Sequence, residues 1–425
     1  QFPAMKWHQY EPINRDQSRS GALLAYGESV NTYYDFSKAK VVLSLDADFA
    51  ATGPGSARYA RDFAAGRRVR ENSKDLNRLY AVETNPSATG SMADHRLPLD
   101  TGGIERFALS VAEKLGIRTD SSAAVFEDTA GWIPALVRDL KKNSGASLVV
   151  AGQQQSPAIH ALAHAMNEAL GNVGQTVHYT EPIEVDSIDQ GSSIRDLVAD
   201  MNAGQVDVLL IVGGNPVYDT PGDLDFKSAL DNVKFRAQLS LTADETSLSC
   251  HWHIPQTHLL ETWSDCRAYD GTVSLIQPLI KPLYGGKSAH DLIAALIGEG
   301  GKPGLDIVKE TWKDHPEFTG NFEHAWQTAL HNGIVSNTRL PDKRTRIRQP
   351  LQTGNTVGAV LDEEELELVV RPDVLLGGGR FSNNGWLQET PTPVTLLTWD
   401  NAALVSYATA EQLGVQNGQI VEMGR

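Results

Sequence analysis

The chain has 425 residues, enough for two or three domains with sizeable cores. Its 37 basic and 53 acidic side chains give a net charge of −16, a field that repels nucleic acid and anionic lipid as direct partners. Its apolar runs fall short of the roughly 20 residues of a membrane helix, and two cysteines, Cys250 and Cys266, are too few for a four-thiolate iron–sulfur cluster. The two read more simply as free thiols than as a disulfide. Gln1-Phe2-Pro3 and Met423-Gly424-Arg425 look like cut edges, so the chain is read as an excised portion of a longer protein.

After a loop-like start, Ala39–Leu45 is predicted as a strand running into Asp46-Ala47-Asp48-Phe49, and Ala57–Arg70 as a helix. Leu76–Glu83 is a second strand, Gly103–Leu115 and Trp132–Lys142 are helices, and Ser147–Ala151 is a further strand. Ser156–Leu170 is a helix with Pro157 in its first turn and Gly171 at its end. After a break near Gly171-Asn172-Val173-Gly174 a second unit follows. It has a helix at Ile194–Ala203, a strand at Val206–Val212, a helix at Leu224–Asn232 and a strand at Phe235–Leu241. His251–Pro255 reads as a short strand and Ala289–Ile297 as a helix. Residues 299–350, rich in Gly, Pro, Lys and Asn, read as an excursion. From Glu365–Arg371, which alternates as a strand does, the chain turns β-rich; a short helix at Thr409–Leu413 precedes a strand at Gly418–Met423.

Strands alternating with helices define two Rossmann-like, mostly parallel α/β units around a cleft. The expected division is a first α/β domain over residues 1–172, a second over 173–300, a linker or excursion over 301–364, and the start of a β-domain over 365–425.

The most informative stretch is Val206–Pro216. Six apolar residues among Val206–Val212 suit a parallel strand covered on both faces. The loop Gly213-Gly214-Asn215-Pro216 turns sharply at its carboxyl end, where open α/β sheets bind ligands. These four residues are the candidate cofactor-binding positions. The loop is not GxGxxG, and Pro216 lacks an amide donor, which weakens an ordinary dinucleotide reading.

Taken in order, several blocks resemble the molybdopterin oxidoreductases of the dimethyl sulfoxide reductase family. They are Leu43–Phe49, Ala93-Asp94-His95-Arg96-Leu97-Pro98-Leu99, Leu170–Gly174, the strand into Gly213–Pro216, Glu245-Thr246, His253-Ile254-Pro255 and Leu260-Glu261. Ala408-Thr409-Ala410 through Leu413-Gly414-Val415 and Asn417-Gly418 is similar to that family's last, β-barrel-type domain. Wording at Tyr34–Ala39, Arg58–Phe63, Asn384–Glu389 and Trp399–Leu404 resembles one branch, the ActB-type iron–sulfur subunit of alternative complex III, a bacterial quinol:electron-acceptor oxidoreductase. In such subunits a molybdopterin-enzyme-like region is fused to a ferredoxin-like region holding the clusters. The resemblance implies that this region carries no metal cofactor and is not catalytic by itself. It implies a location on the periplasmic side of the bacterial inner membrane, with other subunits of the complex and the cluster region as partners.

The residues bear on that implication independently. A bis-pterin dinucleotide carries pyrophosphates, so its pocket should offer amides and cations. The phosphate-loop positions instead present Asp46, Asp48 and Asp100, and Glu83-Thr84-Asn85-Pro86 stands where an Asp-Pro-Arg flavour is usual. Where the family places its metal ligand, this chain reads Lys6-Trp7-His8-Gln9-Tyr10-Glu11-Pro12; Asp16 and Ser18 lie slightly downstream.

Other constellations have plainer readings. Cys250-His251-Trp252-His253, with His258 and Cys266, invites zinc, yet on a strand its donors face opposite sides and the spacing fits no common pattern. His160 and His164 share a helix face at i, i+4, without the Glu of a zincin, and read as a half-buried face. Gly377-Gly378-Gly379-Arg380 reads as a flexible loop before an anion nest, and Glu363–Glu365 with Glu367 as a solvated face. No metal site and no catalytic residue is expected. The leading function is therefore a cofactor-free scaffold region of a quinol-oxidising respiratory complex. An active molybdopterin-dependent oxidoreductase is the runner-up, and a nucleotide-binding module the third reading. Large aromatics such as Trp386 and Trp399 are the candidate partner surface.

Overall fold

A computed structural model describes residues 2–69, 75–120, 126–128, 130–318, 320–351, 353 and 366–423. The first half runs α1 (Asp16–Tyr26), β1 (Asn31–Tyr34), β2 (Val41–Leu45), α2 (Ser56–Ala65), β3 (Arg78–Glu83), α3 (Ala88–Ser91), β4 (His95–Pro98) and α4 (Thr101–Lys114). It continues through α5 (Trp132–Lys142), β5 (Ser147–Ala151), α6 (Pro157–Ala169) and β6 (Val177–Thr180). A four-stranded sheet has the order β4-β3-β2-β5, parallel throughout, with Val41 beside Arg78 and Ser147. β2 and β5 are buried along their whole length, because helices cover both faces. The open edge of β5 is satisfied by a side chain. Asn167 on α6 donates to the Val149 carbonyl at 2.8 Å and accepts from the Val149 amide at 3.0 Å. β1 and β6 form a separate antiparallel pair.

The second half holds α7 (Gln190–Asn202), β7 (Val208–Val212), α8 (Pro216–Asp219), α9 (Phe226–Asp231), β8 (Phe235–Ser240), α10 (Glu245–Leu248) and β9 (Trp252–Pro255). β7-β8-β9 is a parallel sheet. The expectation of a β7 covered on both faces is corrected. It is an edge strand, and Val208 and Val212 are 65% and 43% exposed. Leu209 and Ile211 pack against the α7/α9 cluster of Leu197, Met201, Phe226 and Leu230, while the opposite face presents the exposed Val208 and Val212. An apolar run reports that a strand is hydrophobic, not that two layers arrive to cover it.

Residues 304–332, read as an excursion, carry two helices. The hairpin β10 (Ser264–Arg267) and β11 (Val273–Ile276) packs with α12 (Gly304–Lys313) and α13 (Phe322–Asn332), which follow α11 (Ala289–Leu296). Val273, Leu275, Trp312, Phe318 and Trp326 form their core. Gly and Pro at the helix boundaries dominated the composition and hid the aromatic spacing. Among the described residues, 366–423 hold no strand, only α14 (Gly385–Gln388) and α15 (Tyr407–Leu413). The strands predicted from Glu365 and Gly418 are therefore absent over 366–371 and 418–423, where side chains are largely exposed and no partner strand lies alongside. No helix among the described residues is long and apolar enough to cross a membrane.

Candidate functional site

The chain leaves β2 to build β3 and β4 on one side, then returns to place β5 on the other. Loops leaving the carboxyl ends of β2 and β5 therefore diverge, which creates the crevice where open α/β sheets bind ligands. The loops after these two strands line a cavity of about 140 Å³. They approach so closely that a Cβ on Gly152 would stand 2.1 Å from the Asp46 carbonyl oxygen, so glycine is required there.

Asp46, the first residue beyond β2, has φ 56°, a left-handed conformation that Asp tolerates better than most residues. Its side chain is among the most buried charges of the protein. Gln154 donates to its carbonyl at 2.8 Å and its carboxylate at 3.1 Å, and Gln155 donates to the carboxylate at 2.7 Å. Nη2 of Arg371 completes the shell, 2.6 Å from each carboxylate oxygen, and also donates to Thr84 Oγ1.

The other acidic residues of this region are likewise engaged. Asp48 accepts from the Thr89 amide at 2.9 Å, in the first turn of α3, and Asp100 caps α4 by accepting from the Gly103 amide. Glu367, read as part of a solvated face, is exposed and also accepts from the Thr101 amide at 3.0 Å, the first residue of α4. Glu363–Glu365 lie outside the described residues. Residues 367–371 thus form a strap that sets an anion on a helix N-terminus and a cation on the β2 loop. These are the two kinds of group a bound pyrophosphate would seek.

A pterin dinucleotide does not fit this arrangement. The first amide of α4 already holds a carboxylate, Arg371 already neutralises Asp46, and added phosphates would meet Asp46 and Asp48. The cavity is also well below the roughly 300–1,000 Å³ of pockets that bury drug-sized ligands.

His160 and His164 line the cavity from α6 and are buried, not half-buried as the spacing suggested. Burial pushes their pKa values down to about 4 and about 3, so both are neutral near pH 7. His164 Nδ1 lies 3.0 Å from the Tyr179 hydroxyl, and the Tyr26 ring packs against both. Arg15 and Arg19 sit at the cavity wall, each paired with Glu184.

The sequence-derived candidates Gly213, Gly214, Asn215 and Pro216 follow β7, away from this cavity. Gly213 and Gly214 have φ 68° and 71°. Asn215 holds the loop locally: its Oδ1 accepts from the Thr246 amide and hydroxyl at 3.2 and 2.8 Å, and its Nδ2 donates to Glu245 at 2.6 Å. In the segment Lys6–Pro12, the His8 ring meets the Ser193 carbonyl and Tyr10 donates to the Asp219 carbonyl. Asp16 accepts from the Gln190 and Gly191 amides at the start of α7. Cys250 and Cys266 are free thiols, His251 accepts from the Arg236 amide, and His258 caps the turn Leu259–Glu261. Among the described residues no three His, Cys, Asp or Glu side chains gather as a metal site. Sequence reasoning singled out Asp46 but missed Gly152, Gln154, Gln155 and Arg371. The Gly152-Gln153-Gln154-Gln155 run directly after a strand was the available signal.

No protein-family model matches the chain, and no curated protein matches it in sequence. Among solved structures it is similar to acetylene hydratase from Pelobacter acetylenicus, with a TM-score of 0.55 and 13% identity over 96% of this chain and 70% of that one. At that identity the likeness shows a shared fold alone.

Proposed function

We propose that this chain is a cofactor-free, molybdopterin-oxidoreductase-like scaffold region of a quinol-oxidising respiratory electron-transfer complex. The observation that supports the reading is the strap 367–371, whose Glu367 meets the first amide of α4 and whose Arg371 pairs with Asp46, so that neither group is left over for a phosphate. In this role the fold is kept as a rigid body and its surface does the work. Electrons pass through clusters in a separate region, and the chain sits on the periplasmic side of the bacterial inner membrane. The segment after the strap supports a docking role, because Trp386 and Trp399 are 86% and 60% exposed. Exposed aromatics of this kind concentrate at contact surfaces.

The test is to co-express this chain with the cluster-bearing region of the same complex and pass the mixture over gel filtration. Co-elution as one species is expected. Separate elution at micromolar concentrations contradicts the scaffold role.

A further inference from the structure

The cavity between the β2 and β5 loops contains an unmet chemical demand. Nε2 of His160 is fully buried and has no hydrogen-bond partner. Gly152 and Gln153 line the same cavity. A neutral imidazole has one donor and one acceptor nitrogen, so an unpartnered Nε2 can pair with a hydroxyl, which both donates and accepts. The walls beside it include the rings of Tyr34, Phe49, Tyr59 and Tyr269. The volume, about 140 Å³, is close to the roughly 150 Å³ of an engineered protein cavity that takes up benzene.

We propose that this cavity is a binding site for a small phenolic ring, whose hydroxyl pairs with His160 Nε2 while its face packs on the aromatic walls. The chemistry selects against other classes. A cation would meet two neutral imidazoles and the guanidinium groups of Arg15 and Arg19. An anion would meet the carboxylates of Asp48 and Glu184 on the same walls. A plain hydrocarbon would leave the buried nitrogen unpaired. A neutral ring with one hydroxyl satisfies all three conditions. The site does not depend on the scaffold role, since it uses no residue of the strap.

The experiment titrates the intact chain, with 15N-labelled histidine, with phenol and separately with toluene, which has nearly the same shape and no donor. Expected are saturable binding of phenol, a shift of the His160 Nε2 resonance, and toluene binding about tenfold weaker, the loss of one buried hydrogen bond. In His160→Leu, phenol affinity should fall to that of toluene. Equal affinities in the unaltered chain, or a His160 resonance unmoved at saturating phenol, would overturn the proposal and leave a cavity that holds water only. The unaltered chain decides the matter even where the leucine variant does not fold.

Discussion

The guanidinium of Arg371 reaches both carboxylate oxygens of Asp46 at 2.6 Å, across 325 positions of sequence. This contact ties the segment that follows residue 365 to the loop at the carboxyl end of β2. A buried ion pair adds little net stability compared with a well-packed apolar pair, yet breaking one side of it is costly. Arg371→Ala should therefore destabilise the chain by about 3 kcal/mol, because Asp46 keeps its charge and loses its cation. Asp46→Asn with Arg371→Met should recover most of that loss, since Asn tolerates the same backbone conformation. Urea unfolding of the two variants beside the unaltered chain checks this; a harmless Arg371→Ala would show that the strap does not hold the crevice.

Two glycines separate close approach from backbone conformation. A Cβ at Gly152 meets backbone atoms of Asp46 at 2.1 and 2.8 Å, so Gly152→Ala should cost about 3 kcal/mol. At Gly213 nothing lies within 4 Å of an added Cβ, and only φ 68° penalises a side chain. Gly213→Ala should cost about 1 kcal/mol. Thermal denaturation of the pair measures the order; the reverse order would relocate the tight site to the second sheet.

The contrast shows what the sequence could and could not reveal. Ser147–Ala151 and Trp132–Lys142 were legible end for end, because an unbroken apolar run and a helical stripe are local patterns. Asp46, Asp48 and Asp100 were legible as carboxylates in the loops after the strands, but their partners were not. Arg371 is distant in sequence, and Gln154 acts through a loop whose shape no period encodes. The open face of β7 and the helices at 304–332 were missed for a related reason. Cover is a property of what arrives from elsewhere in the chain, and a window of residues cannot see it.

His160 and His164 make stability depend on pH. Both are bases whose pKa is lowered in the folded chain, to about 4 and about 3 from 6.5. The unfolded chain therefore binds protons that the folded chain refuses, and stability rises with pH. Their contribution is fully present above pH 6.5 and is lost as pH falls toward about 4 and then about 3. His164→Gln should flatten the slope of unfolding free energy between pH 6 and pH 4 by up to about 1.4 kcal/mol per unit, one proton's share. Parallel curves for the variant and the unaltered chain would mean that His164 is protonated where it sits.

Trp386 should be dispensable for folding and important for docking. At 86% exposure, Trp386→Ala should change stability by less than about 0.5 kcal/mol. The same variant should weaken association with the cluster-bearing region by tenfold or more, about 1.4 kcal/mol, as expected of an aromatic anchor. Sedimentation of the mixed components reads the second effect and chemical denaturation the first; unaltered association would move the docking surface elsewhere.

The central claim is that the crevice after β2 is closed by Asp46 and Arg371 and takes no pterin dinucleotide. The most direct measurement is elemental analysis of the chain purified from a host replete in molybdenum and tungsten, with fluorescence of any oxidised pterin it releases. The account expects both metals far below one per chain and no pterin. Near-stoichiometric molybdenum or tungsten together with extractable pterin would contradict it and restore the chain to the working oxidoreductases.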